Sequence, residues 1–265
     1  MSDASPPQKM MVSVVVPVYC GSDYLAALVA ALDELRREWQ AQGAPFTLAE
    51  AIFVDDAAID DSGTRIEQLA REHSWIVPLH LARNFGQHPA TIVGILHSSG
   101  DWVVTMDEDL QHRPEVIATL LRKAVTEHAD IVYANPASGV HDAAIRDWSS
   151  RSFKRLMQWL TDNPNLSSFN SFRLIRGPVA RAAASVCSHD TYLDITLGWF
   201  TQSIRAIRIE MKDERYIKTK RSGYSLKSLL SHGWRMIFSS QIKLLRIGSV
   251  LGLATMALSV LAAIY

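Results

Sequence analysis

The sequence predicts an α/β protein with a largely parallel sheet that is covered by helices on both faces. Short apolar runs rich in β-branched residues alternate with helix-like segments up to residue 135. These runs lack the polar alternation of half-exposed strands, which is typical of parallel strands buried on both faces. No G-x-G-x-x-G follows the first run, which argues against a dinucleotide-binding dehydrogenase.

The regular part contains five predicted strands, over residues 12–18, 48–54, 75–81, 102–106 and 131–134. Four helices are predicted between them, over residues 23–40, 62–73, 89–98 and 114–128. Ligands bind beyond the carboxyl ends of the strands in such sheets. The residues that directly follow each apolar run are therefore the first candidates for a functional site.

The second half is less regular. We predict a basic helix over residues 141–160, a strand over 172–175, a helix over 178–186 and an amphipathic interfacial helix over 226–246. Residues 205–246 hold eleven Lys and Arg against three Asp and Glu. This excess fits an anionic partner such as phosphates or lipid headgroups, although a solvated basic surface explains it equally well.

Residues 247–265 form an uncharged apolar run, which predicts a transmembrane helix. Lys243 and Arg246 precede it, so the positive-inside rule places the preceding domain in the cytoplasm, at the inner membrane. The run has no polar flank at its end, and we expect a longer natural chain. The predicted division is a disordered start over 1–11, one α/β domain over 12–225, the interfacial helix and the span.

Composition excludes several classes of protein. The chain of 265 residues has 48% hydrophobic residues and a formal net charge of zero, so nothing global indicates a nucleic-acid partner. Cys20 and Cys187 lack the spacing of a zinc site or a disulfide framework. The oligomeric state stays open, a homo-oligomer included.

Acidic residues follow two of the predicted strands. Asp55 and Asp56 come directly after the second strand, too early to cap the next helix, and can accept hydrogen bonds from a base or ribose. Asp60 and Asp61 are in place for helix capping. The loop before the third helix, residues 82–90, adds Gln87 and other hydrogen-bonding side chains.

Asp107, Glu108 and Asp109 follow the fourth strand. Three successive carboxylates repel one another, and a cation would relieve that repulsion. Mg²⁺ and Mn²⁺ prefer such hard oxygen ligands, usually one or two carboxylates with substrate phosphates completing the shell. The sequence therefore predicts a divalent metal at Asp107 and Asp109.

Four segments together resemble one family: V-S-V-V-V-P-V-Y at 12–19, V-D-D at 54–56, R-N-F-G-Q at 83–87 and M-D-E-D-L-Q at 106–111. They are similar to the family 2 glycosyltransferases, in particular to the polyprenyl-phosphate branch, over residues 12–230. The resemblance implies the GT-A fold, a UDP- or GDP-sugar donor, Mg²⁺ or Mn²⁺, and inverting transfer to undecaprenyl or dolichyl phosphate in cell-envelope synthesis.

The resemblance also implies roles for individual residues. Pro17 and Tyr19 would line the nucleotide pocket, with Asp55 and Asp56 reaching base and ribose. Gln111 would lie beside the metal site, and Arg173 would contact phosphate. The donor or acceptor phosphate would also meet a basic segment that includes Lys220, Arg221 and Ser222.

Three departures from the family pattern affect the donor pocket. The family's Y-N-E is Tyr19-Cys20-Gly21 here, so an acid is missing and Asp23 is the candidate substitute. The G-S after V-D-D is Ala57-Ala58, and the acid after L-Q is His112. Two alternatives follow: a GT-A enzyme that acts on a glycan or protein, and a catalytically silent, membrane-anchored nucleotide-sugar binder.

Overall fold

A computed structural model describes residues 9–137, 169–188, 191–209 and 242–264. The predicted helix over 141–160, the residues Lys220, Arg221 and Ser222, and most of the predicted interfacial helix lie outside these ranges. The described strands are β1 (Met10–Val18), β2 (Phe46–Asp55), β3 (Ile76–His80), β4 (Trp102–Thr105), β5 (Ile131–Pro136), β6 (Arg173–Arg176) and β7 (Ile204–Ile209). The described helices are α1 (Leu25–Ala41), α2 (Ser62–Glu72), α3 (Gln87–Leu96), α4 (Val116–Thr126), α5 (Gly177–Val186), α6 (Leu193–Phe200) and α7 (Ile242–Ile264).

The strands form one sheet in the order β3-β2-β1-β4-β6-β5-β7. Every described pairing is parallel except those of β6, which runs antiparallel to β4 and β5. The predicted α/β class with a mostly parallel sheet is therefore confirmed. Because β6 is antiparallel to its neighbours, it starts at the edge where β4 and β5 end. Residues 169–173 therefore lie beside the predicted site.

Helices cover both faces of this sheet, as the continuously apolar strands predict. Alternate residues of β1 enter different cores: Val14 and Val16 pack in the cluster that includes α1, α2 and α4. Val15 packs in the cluster that includes α3, α5 and α6. The strand residues in both cores are buried. Because such interiors are closely packed, the sheet is a rigid base for the loops at its edge.

The first strand starts earlier than predicted. Met10 already pairs with Phe46 at the start of β2, and Met11 pairs with Thr47. The prediction of disorder over 1–11 is therefore wrong for these two residues, because the neighbouring strand supplies backbone partners that local composition does not reveal.

The helix α7 spans Ile242–Ile264, so it takes in the last residues of the predicted interfacial helix. Within the ranges that the structure describes, no helix meets the criteria of length and hydropathy for crossing a membrane. The predicted transmembrane helix over 247–265 is therefore not confirmed. Large apolar side chains on α7 are 54–66% exposed, and they belong to Val250, Leu251, Leu253, Met256, Leu258, Val260 and Leu261.

Candidate active site

The predicted site residues of three strands meet at one edge of the sheet. The end of β1 lies beside the end of β2, where Val18 pairs with Asp55. On its other side β1 pairs with β4, and the N–H of Met106 donates to the carbonyl of Val15. This edge opens on a pocket of about 300 Å³ between the first turns of α3 and α6. Pro17, Gln87, Asp107 and Arg173 line it together with Thr91, Thr105, Asn170, Ser171, Tyr192 and Asp194, among others.

Asp107 is held from both sides of this pocket. Its Oδ1 accepts a hydrogen bond from Gln87 Nε2 at 2.6 Å, and its Oδ2 accepts one from Ser171 Oγ at 3.0 Å. Both donors are neutral, so these bonds orient the carboxylate without supplying a compensating positive charge. Within the described residues, the group at salt-bridge distance is His112, whose Nε2 lies 3.8 Å from Oδ2. The carboxylate is thus oriented but not neutralised.

His112 holds the backbone of Asp107 in place. The imidazole is 3% exposed and stacks on Phe172, with ring centroids 4.7 Å apart and planes inclined by 18°. Its Nδ1 accepts the backbone N–H of Asp107 at 2.9 Å. An imidazole nitrogen that accepts has no proton of its own. A neutral histidine therefore provides the acceptor at the position where the family pattern has an acid.

The other two carboxylates of the cluster have different surroundings. Asp109 is 7% exposed, and its Oδ1 accepts the N–H of Gln111 at 3.3 Å. The Glu108 carboxylate accepts the backbone N–H groups of Tyr19 at 2.8 Å and Cys20 at 3.2 Å. The idea that the whole cluster needs a cation is therefore corrected for Glu108, because backbone N–H groups stabilise its charge.

Asp55 is bridged to a histidine at the end of β3. Its Oδ2 lies 2.9 Å from His80 Nδ1, and His80 Nε2 lies 2.9 Å from Glu67 Oε1. The bond to Asp55 raises the pKa of His80; burial opposes this shift and Glu67 adds to it. The remaining oxygen of Asp55 accepts the N–H of Ala58 at 2.7 Å, which closes the turn after β2.

Asp56 holds the loop before α3. It is 2% exposed, and its two oxygens accept the N–H groups of Phe85 and Gly86, each at 2.7 Å. Gly86 has φ +95°, a conformation that favours glycine. The next residue, Gln87, reaches Asp107. These bonds give Asp56 the task of holding this loop, and its contact with base or ribose stays a prediction.

Asp60, one of the predicted capping residues, fastens the turn before α2. Its carboxylate accepts the N–H of Ser22 at 3.1 Å and that of Ser62 at 3.0 Å. Burial would raise the pKa of Asp60, but hydrogen bonds from Ser62 and Ser22 lower it to about 2. Asp61 is the residue that precedes α2, without a side-chain cap bond.

Arg173 lies in a buried charged cluster at the back of the pocket. It is 2% exposed, and its Nη1 donates to Asp194 Oδ1, which also accepts the Tyr133 hydroxyl. Burial would lower the pKa of Arg173, but the charge of Asp194 raises it. Burial also raises the pKa of Tyr133 well above its usual value, and the charge of Asp194 adds to this. Within the described residues, Arg173 Nε has no hydrogen-bond partner.

Aromatic rings form the side of the pocket between α3 and α6. The rings of His88 and Tyr192 have centroids 4.4 Å apart, and Phe169 stacks near Tyr192 at 6.2 Å. A larger cavity of about 790 Å³ lies between α1 and α2, lined by residues such as Asp33, Arg37 and Glu72. It is away from the strand ends, and none of the predicted site residues lines it.

Sequence reasoning missed several residues that touch the predicted ones, among them Ser171, Asp194 and His80. Ser171 and Asp194 reach the site through β6 and α6, which are distant in sequence from Asp107. A buried arginine needs an anionic partner, so the sequence predicts that some carboxylate pairs with Arg173. It does not identify Asp194 as that carboxylate. Glu108 was noticed only as part of the acidic cluster.

Within the described ranges, no group of three or more His, Cys, Asp and Glu side chains is placed to hold a metal ion. Sites for Mg²⁺ that are completed by substrate phosphates usually need one or two carboxylates. Asp107, a charged and oriented oxygen donor at the pocket wall, fits that kind of site. Asp109, which is not among the residues lining the pocket, is buried next to it.

Comparison with known proteins gives two kinds of likeness. Residues 13–181 match the family model described as Glycosyl transferase family 2. Undecaprenyl-phosphate 4-deoxy-4-formamido-L-arabinose transferases of Salmonella paratyphi A and Salmonella dublin are each 29% identical over 267 residues, which covers 98% of this chain and 77% of theirs.

Solved structures with low sequence identity share the fold. Mannosyl-3-phosphoglycerate synthase from Rubrobacter xylanophilus has a TM-score of 0.59 at 13% identity, over 91% of this chain and 75% of its own. Glucosyl-3-phosphoglycerate synthase from Mycobacterium tuberculosis, in complex with Mn²⁺, UDP-glucose and phosphoglyceric acid, has a TM-score of 0.56 at 15% identity, over 87% and 79%. These likenesses support the predicted GT-A fold and, at such identities, the fold alone.

Proposed function

Because the chain belongs to glycosyl transferase family 2, we propose that it moves a sugar from a nucleotide carrier onto a polyprenyl phosphate, with inversion at the anomeric carbon. One observation carries the reaction type: the charged carboxylate of Asp107, oriented by Gln87 and Ser171 at the carboxyl end of β4, lies in the wall of a pocket large enough for a small ligand. The acceptor class rests on the relatives named for undecaprenyl phosphate.

We assign the divalent cation, Mg²⁺ or Mn²⁺, to Asp107, with Asp109 as the second carboxylate. Such an ion neutralises the charge that builds up on a departing nucleoside diphosphate. The fit rests on the chemistry of the donors: two aspartates close in sequence, one of them oriented by neutral hydrogen bonds. The M. tuberculosis neighbour, which has the same fold, was solved with Mn²⁺.

The nucleotide is proposed to lie along the ends of β1 and β2. Pro17 is at the pocket wall and Tyr19 is exposed beside it, so both are available to a ligand. Asp55, fixed by His80 and Ala58, is the candidate contact for base or ribose.

The acceptor side needs charge neutralisation more than a strong base. A phosphate monoester has its second pKa near ~6, so it is mostly a dianion at pH 7 and already nucleophilic. Arg173 is the candidate contact on this side, because an oxygen of an anionic ligand would satisfy its buried Nε. Lys220, Arg221 and Ser222, which lie outside the described residues, stay candidates for the same task.

We place the protein at the inner membrane, with its catalytic domain on the cytoplasmic side. The cytoplasmic side rests on the positive-inside rule, and two observations support the membrane location. The acceptor of the relatives is a lipid phosphate, and α7 presents exposed apolar side chains along its length, which favour a non-aqueous or protein partner.

The test is an acceptor and donor panel. The protein in membranes is incubated with labelled UDP- and GDP-sugars and undecaprenyl phosphate, with and without Mn²⁺ or Mg²⁺. We expect the label of one donor in the organic phase, only with a divalent cation, and its loss in Asp109→Asn with folding intact. If the label appears in a glycan or a protein instead, that molecule is the acceptor and the polyprenyl phosphate is not. Nucleotide binding without any transfer by the parent would show a silent binder.

A further inference from the structure

Glu108 and Gly21 occupy one space between the ends of β4 and β1. Glu108 comes from the segment that follows β4, and Gly21 from the turn that leads into α1. A Cβ atom placed on Gly21 would lie 2.8 Å from Glu108 Oε2, 3.0 Å from its Cδ and 3.3 Å from its Cβ. The contact involves most of the glutamate side chain, so rotating only the carboxylate would not relieve it.

The carboxylate is also not free to rotate away. Its oxygens accept the N–H groups of Tyr19 and Cys20, and charge-assisted bonds of this type are stronger than neutral ones. Gly21 itself is fixed, because its N–H donates to Ser62 Oγ at 3.0 Å and its carbonyl accepts the N–H groups of Tyr24 and Leu25. Two anchored segments therefore meet at this contact.

Glu108 stands between the two aspartates assigned to the cation. A side chain that is bonded to the end of β1 fixes the backbone of its own residue, and with it the direction of its neighbours on either side. Asp107 and Asp109 are thereby tied to Tyr19, the candidate nucleotide contact. Rigid support of this kind, one layer behind the ligands, commonly decides how tightly a site binds its metal.

We propose that Glu108 is a positioning residue of the donor site, and that it demands glycine at position 21. It couples the metal-binding aspartates after β4 to the nucleotide-binding turn after β1. The inference rests on the proposed function. It adds a second candidate, beside exposed Asp23, for the acid that this turn lacks: the Glu108 carboxylate fills the place of a side chain at position 21.

The functional test measures Mn²⁺ affinity by calorimetry in the presence of the nucleotide that the parent accepts. We expect Glu108→Ala to weaken Mn²⁺ binding by about tenfold or more. Glu38→Ala, an exposed glutamate on α1, is the matched control and should bind as the parent does. Equal affinity of Glu108→Ala and the parent would overturn the positioning role. A parent that binds no Mn²⁺ with any nucleotide would overturn the proposed function as well.

A second cycle of variants tests the shared space without using activity. The φ angle of Gly21 is not in the left-handed region, so alanine there is costly only through the clash. We expect Gly21→Ala to lower the melting temperature of the parent and to cost much less in the Glu108→Ala background. We also expect Gly21→Ala to weaken Mn²⁺ binding. If Gly21→Ala lowers the melting temperature equally in the parent and in the Glu108→Ala background, the two residues do not share this space and the proposal fails.

Discussion

The imidazole of His112 accepts, through Nδ1, the backbone N–H of Asp107. The bond fixes the first residue of the acidic cluster at the point where β4 ends. Because the ring is stacked on Phe172, the acceptor is held in place by packing as well as by the hydrogen bond. His112 therefore fixes the start of the acidic cluster without adding a carboxylate to it.

Variants of His112 separate the acceptor from the ring. The carbonyl of asparagine reaches the place of Nδ1, whereas leucine has no acceptor and leaves a buried N–H unsatisfied. We expect His112→Leu to need about tenfold more Mn²⁺ for half-maximal transfer, and His112→Asn to stay close to the parent. The measurement is the transfer rate against Mn²⁺ concentration. Unchanged Mn²⁺ dependence in the leucine variant would remove His112 from the site.

Asp56 is the residue whose loss should disturb the loop before α3 most. In Asp56→Asn an amide group must face one of two partly buried N–H donors, those of Phe85 and Gly86. Leaving one of these N–H groups unsatisfied costs about 1–3 kcal/mol. The freed loop should also raise the KM for the nucleotide sugar, because Gln87 follows it directly. Urea unfolding and donor titration measure the two effects, with exposed Asp61→Asn as control. A variant as stable as the parent would contradict the assigned role.

Ala57 has φ +51°, in the left-handed region. That conformation costs a non-glycine residue roughly 1–2 kcal/mol, and glycine recovers it at an entropic cost of about 0.5–1 kcal/mol. We therefore expect Ala57→Gly to raise the free energy of unfolding by about 0.5–1 kcal/mol. Ala58→Gly, at a residue without positive φ, should not stabilise. A loss of stability in Ala57→Gly would show that the angle is not strained.

His80 gives stability a pH dependence. Its pKa is raised in the folded protein by Asp55 and Glu67, so its contribution is complete below the unfolded pKa of about 6.5. The contribution is lost as pH rises through the higher folded value. His80→Gln should thus lower the melting temperature most near pH 6 and progressively less above pH 7. A difference that grows with pH would have the wrong sign for this contact.

Local patterns account for the first half of the fold. The apolar runs that end in Val18, Asp55 and Thr105 are strands because uninterrupted β-branched residues suit a sheet buried on both faces. The predicted ends of these strands agree with the structure to within two residues. The position of the metal-site candidates followed from this, since they are simply the next residues along the chain.

The rest depends on partners that are distant in sequence. The insertion of β6 between β4 and β5 follows from pairing across the sheet, and α6 is too short for a clear helical period. For the same reason the sequence could not show that Glu108 binds the turn at Tyr19, or that Arg173 is paired with Asp194. Acidic residues looked alike in the sequence, and only their hydrogen bonds distinguish ligands from supports.

The central claim is that Asp107 holds a cation which lets a sugar leave its nucleotide for a lipid phosphate. The most direct measurement is the transfer of labelled sugar to undecaprenyl phosphate by the parent and by Asp107→Asn, over a Mn²⁺ titration and in EDTA. We predict transfer that EDTA abolishes and Mn²⁺ restores, and a loss of roughly 100-fold in the variant at an unchanged melting temperature. Full transfer in EDTA, or by the folded variant, would contradict the claim.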